Sequence, residues 1–118
     1  MKLEYEKNIR IMNDLMGHCH FMGACHMQVK FDFQPDQSTI TIEADVPSVT
    51  ERQAQELEEL LNIPRQREVE QNYWNISGEE DISTEVSLAA MMVDNAKVSL
   101  EGKRIQIWVQ RLRSTAEE

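Results

Sequence analysis

The stretch GHCHFMGACH, residues 17 to 26, contains all three histidines and both cysteines of the 118-residue chain. Thiolate and neutral imidazole are the ligands that zinc, copper and iron prefer, so His18, His20, His26, Cys19 and Cys25 are the candidate ligands for one transition-metal ion. Read as a strand, the His-x-His pair puts two imidazoles on one face about 7 Å apart. His18 and His20 can then share an ion if a further ligand arrives from elsewhere. His26 would lie more than about 20 Å from His18 on a straight strand, and joins only if Gly17 to Ala24 folds back or if a subunit interface intervenes. Read as a helix, the same stretch aligns His18, Met22 and His26, with Asp14 one turn earlier, an arrangement that Gly17 and Gly23 disfavour. Neither spacing is that of a zinc finger or knuckle, and no second Cys/His cluster completes a tetrahedron.

A simpler account competes with the metal site. On strand parity, Cys19 and Cys25 fall in with Phe21, Val29 and Phe31 as core residues, while the histidines fall in with Gln28, Lys30 and Asp32 as solvent-face residues. Redox chemistry fits poorly, because cysteines six apart on a strand are about 20 Å apart, beyond disulfide reach. Nucleophilic catalysis fits no better, since adjacent strand residues such as Cys25 and His26 point to opposite faces. The expectation leans away from an enzyme.

The elements that would position this segment follow from periodicity. Tyr5, Ile9, Met12 and Met16, with Leu15 alongside, mark one face of a helix, and Gly17 is placed to end it. Alternation then begins, strongest from Met27 to Phe33 and extending back to Cys19, with Gly23 as a bulge or bend. Gln34–Pro35–Asp36–Gln37 reads as a turn, and Ile40, Ile42, Ala44 and Val46 resume the alternation, completing a hairpin with one buried face. Ser48 to Glu51 has the form of a capping box. Ala54, Leu57 and Leu61 continue it as a helix closed by Pro64.

Residues 65–76 are ambiguous. Ser77 to Glu80 can cap a third helix carrying Ile82, Val86, Ala89, Val93 and Ala96. A second hairpin follows, with Val98 and Leu100 before a Glu101–Gly102 turn and Ile105, Ile107 and Val109 after it. The expected fold is a single α+β domain, residues 1–118, with a four-stranded antiparallel sheet built from two β-hairpins. About three helices pack on one face, in the order α-β-β-α-α-β-β. Helix-then-hairpin occurs twice, a loose echo of duplication. Met91 to Val109 looks somewhat like the helix-to-strand segment that carries the asparagine box of the histidine-kinase type of ATPase domain, through Asn95, Ala96, Gly102 and the Ile105–Ile107 strand. Met91 stands where that family has its metal-coordinating asparagine, and the assignment is not adopted.

Charge bounds the partners. Twenty-one acidic against twelve basic residues give a formal charge of −9, which repels phosphate backbones. The basic residues near the end, Lys103, Arg104, Arg111 and Arg113, are interleaved with strand residues, so no nucleic-acid groove is expected. No apolar window is long enough to span a membrane, and the first residues are too charged for a signal peptide, which points to the cytoplasm. Trp108 falls on the outer parity of the last strand with Leu112 after it, and Tyr73 and Trp74 lie in the ambiguous stretch. Aromatic side chains off the core parity suit a contact surface, so the outer sheet face with Trp108, Leu112, Tyr73 and Trp74 is the expected interface of self-association. The expected function is a small acidic, self-associating binding or regulatory domain, a homo-oligomer with the dimer as its expected form, without catalysis or a cofactor. The alternative is a metal-binding domain built on residues 18–26.

Overall fold

The structure, a computed structural model, describes residues 2–63 and 89–112. Six elements run in the order α1 (Lys2–Phe21), β1 (His26–Phe33), β2 (Gln37–Asp45), α2 (Glu51–Leu61), β3 (Asn95–Glu101) and β4 (Arg104–Leu112). The strands form one antiparallel sheet in the spatial order β1-β2-β4-β3. The two hairpins therefore share a sheet, joined through their second strands. The α+β architecture is as the periodicity predicts, with two helices among the described residues rather than about three. Most of the expected third helix, together with the ambiguous residues 65–76, lies outside the described residues. Its proposed end is different: Ala89 and Ala90 are helical, the chain turns at Met91 and Met92, and Ala96 sits in β3. Asn95 opens that strand and bonds the Gln110 side chain across it, so it is not helix-borne as an asparagine box would require.

Alternation sets the sheet's two faces. Val29, Ile42, Ile107 and Val98 lie side by side across the four strands, as do Phe31, Ile40, Val109 and Ala96. These rows, apart from the exposed Val29 at the edge, join Ala44 and Ile105 in a core with Ile11, Leu15 and Cys19 of α1 and Ala54, Leu57 and Leu61 of α2. The buried stripe of α1 is thus Ile11–Leu15–Cys19, flanked by the buried polar residues Asn8 and Asp14. The expected stripe is rotated away from this: Tyr5 and Ile9 are exposed and Met12 and Met16 only partly covered.

The helix also ends later than expected. Gly17 lies within α1, and the stop is Gly23, at φ 100°. The Ala24 amide donates to the Cys19 carbonyl and the Gly23 amide to the His20 carbonyl, each at 3.0 Å. This is the paired hydrogen-bond pattern of a Schellman cap, with glycine in the left-handed position. Gly23 is therefore a helix stop and not a strand bulge, and β1 starts only at His26. The second helix is capped two residues after the expected box. Thr50 Oγ1 accepts from the Gln53 amide at 3.1 Å, and Gln53 Oε1 accepts from the Thr50 amide at 2.9 Å. Ser48 instead reaches the Met22 carbonyl. Helix α2 ends before Pro64, with Asn62 as its C-cap.

The sheet's edges are treated differently. Asn62 Nδ2 donates to the Ala96 carbonyl at 3.0 Å, and Asn62 Oδ1 accepts from the Ala96 amide at 3.1 Å. The amide group thereby mimics one rung of a neighbouring strand. Glu58 Oε1 accepts from the Val98 amide at 2.6 Å. The outer edge of β3 is thus occupied by side chains of α2, whereas no described element lies beyond β1.

A Gly23→Ala substitution forces a side chain into a left-handed conformation. The nearest atom to the added Cβ is Ser48 Oγ at 3.9 Å, so the penalty is conformational and not steric. The expected loss is about 1–2 kcal/mol of unfolding free energy, measured by urea denaturation.

Candidate functional site

The Schellman cap decides the fate of the Cys/His segment. Because α1 runs through Phe21, His18, Cys19 and His20 are successive helical residues, and His18 and His20 project about 200° apart around the axis. The strand pairing that would let them share an ion does not occur. Cys19 is in the core, where burial pushes its thiol up to about 11. Cys25 is exposed; its amide donates to the Asp45 carbonyl at 3.0 Å, and its Sγ lies 3.6 Å from the same oxygen. Both cysteines are free. His26 is exposed on the open face of the sheet, opposite Asp45, which in turn accepts from Arg104 Nε at 3.1 Å. The helical alignment fares little better: Asp14 is committed to Arg10, whose Nε lies 3.0 Å from Oδ2. Among the described residues, no three His, Cys, Asp or Glu side chains group closely enough to hold a metal ion.

His18 has a different environment. It lines a cavity of about 220 Å³ between the end of α1 and α2, with Phe21, Met22, Leu57 and Leu60 as apolar walls and Gln53 and Glu56 at the polar side. That volume falls short of the several hundred Å³ that most small-molecule sites enclose. Its Nδ1 is enclosed without a hydrogen-bond partner, and burial lowers its pKa. The imidazole is therefore neutral near pH 7 and behaves as a packing residue.

The open face of the sheet carries Trp108, as its parity predicts. It is half-buried between Thr41 of β2 and Lys97 of β3. Its surroundings are polar: Gln106 and Gln110 flank it along β4, and Gln110 bonds Gln37 at 2.6 Å. Leu112, at the strand's end, is exposed. Tyr73 and Trp74 lie outside the described residues. Of the basic residues near the C-terminus, Arg113 lies outside the described residues and the others are dispersed. Arg104 pairs with Asp45 and Glu43 on the open face, Lys103 is in the turn, and Arg111 is buried in an ion pair with Glu4.

Other exposed large apolar side chains among the described residues are Phe21, Ile63, Tyr5, Ile9 and Val29. Tyr5 is 48% exposed, Ile9 38% and Val29 37%. Tyr5 packs at a tilt against Phe31 at 6.0 Å and meets Phe33 edge-on at 5.8 Å between ring centroids. Tyr5, Phe31 and Phe33, with Val29 beside them on β1, thus form an apolar strip where the start of α1 meets this edge strand, and Ile9 follows Tyr5 one turn along the helix. Sequence reasoning assigned all of them to the core, because periodicity reveals which side chains share a face but not which strand is at the edge. No family model and no curated protein matches the chain.

Burial of His18 leaves a signature in stability. Its folded-state pKa lies below the ordinary 6.5, so as pH falls the unfolded chain takes up this proton first. Stability is lost as pH drops below about 6.5 and down to the folded pKa. In His18→Gln that component is absent. Urea midpoints at roughly pH 7.5 and 5.5 should differ less in the variant than in the native chain.

Proposed function

We propose that this chain is a small acidic binding or regulatory domain of the cytoplasm, without catalysis, that works as a homodimer joined at the β1 edge. One observation carries the reading: among the described residues no element lies beyond β1, and that strand bears the exposed Val29 while the exposed Tyr5 of α1 packs on its Phe31 and Phe33. An uncovered edge strand is a template for pairing with another chain, and exposed apolar side chains beside it favour burial in a contact. The opposite edge is occupied by Asn62 and Glu58, so the two sides of the sheet are not equivalent surfaces. Two unpaired cysteines are in keeping with a reducing compartment. Trp108 then belongs to a polar open face that dimerisation leaves free to meet a partner.

The reading requires the molar mass to rise from one chain toward two as concentration increases, as followed by sedimentation equilibrium. Val29→Lys places a charge in the apolar strip on the edge strand. It should weaken the dimer by about tenfold or more while the circular-dichroism spectrum stays native. A mass of one chain at every concentration defeats the proposal. The metal alternative rests on composition, and metal analysis of purified protein separates it. The expected result is no stoichiometric ion; zinc, copper or iron bound near one per chain and lost in a His18→Ala/His20→Ala variant would favour that alternative.

A further inference from the structure

The side chains of β1 restrict how two such edges can meet. We propose that two copies pair antiparallel through β1 about a two-fold axis at Phe31, so that Lys30 of each chain opposes the partner's Asp32. The inference rests on the self-association proposed above and specifies its register.

Both helices pack on one face of the sheet. A two-fold axis normal to the sheet keeps the two helix layers on the same side, and directly opposed residues then project to the same face. Odd-numbered residues of β1 must therefore oppose odd-numbered ones, which leaves only a few registers. An axis at Lys30 sets that lysine against its own copy, and an axis at Asp32 does the same to the aspartate; like charges directly opposed are destabilising. An axis at Phe31 sets Lys30 against the partner's Asp32 twice over, on the exposed face of the sheet.

The same axis satisfies the apolar side. The core-facing residues toward the turn are Val29, Phe31 and Phe33, with Tyr5 packed on the last two. Phe31 is the middle member, so an axis there opposes Val29 to the partner's Phe33 and Phe31 to itself. The strip is thus closed against its own copy. An axis at Val29 opposes Met27 to the partner's Phe31, with Lys30 facing only Gln28. Charge and apolar matching select the same residue independently.

The test is a charge exchange read by sedimentation equilibrium. Lys30→Asp sets two carboxylates against each other, the introduced one facing the partner's Asp32. Asp32→Lys likewise sets two ammonium groups together, the introduced one facing the partner's Lys30. Each single variant should raise the dimer dissociation constant roughly tenfold. An equimolar mixture of the two variants, and likewise the Lys30→Asp/Asp32→Lys double variant, should return to native affinity, because opposite charges face each other again. A fold defect cannot produce that rescue. If the native chain dimerises but the variants associate as it does, or the mixture gains nothing, the register is overturned while self-association stands. If the native chain remains a monomer at every concentration, both are overturned.

Discussion

A single buried guanidinium ties the first helix to the last strand. Arg111, 1% exposed near the end of β4, donates through Nε and Nη2 to the two carboxylate oxygens of Glu4 at 2.7 and 2.8 Å, and through Nη1 to the Met92 carbonyl at 2.6 Å. These contacts join the first turn of α1, the turn that leads into β3 and the last strand. Asn8 adds to the same knot, with its side-chain amide on the Glu4 carbonyl oxygen. Losing one partner of such a pair leaves a desolvated charge, a cost of about 3–5 kcal/mol. The geometry is bidentate, which a lysine could not reproduce. With Glu4 fixed, Tyr5 is set over Phe31 and Phe33, so its place on β1 depends on an ion pair to Arg111, two strands away in the same cross-strand row as Phe33.

That dependence explains which parts of the molecule could be read from the chain. The hairpins were legible because Ile40, Ile42 and Ala44, and later Ile105, Ile107 and Val109, alternate over a full strand length and are bounded by turn residues. Trp108 was correctly placed on the outer parity for the same reason. The Glu4–Arg111 pair was not legible: its members are 107 residues apart, and an arginine in a basic C-terminal stretch resembles any solvated charge. The correct stripe of α1 was obscured in the same way. Asn8 and Asp14 are buried by hydrogen bonds and an ion pair, not by hydrophobicity, so the alternative stripe through Tyr5 and Ile9 had the cleaner apolar spacing.

The Cys/His segment shows how local ambiguity propagates. Two glycines, Gly17 and Gly23, were both able to end α1, and the choice between them changes the residue period of everything between. With the stop at Gly23, Cys19 becomes a core residue and His18 a helix-face residue beside α2, while His20 points elsewhere. The composition of the segment suggested convergence, but a helical period of 3.6 disperses side chains that a period of two would align. The stop is selected by the Ala24 and Gly23 amides finding the carbonyls of Cys19 and His20, a backbone preference with only glycine as its sequence mark.

The occupied edge of β3 has a consequence for stoichiometry. A sheet open on both sides can recruit neighbours without limit, which is the geometry of a fibre. Asn62 fills one rung beside Ala96 and Glu58 takes the amide of Val98, so growth on that side is obstructed where a new strand would have to begin. Edge-to-edge addition on β1 alone would be self-terminating, because after two chains had met no open edge would remain among the described strands. Two side chains at the end of a short helix would thus hold an assembly through β1 to a finite size.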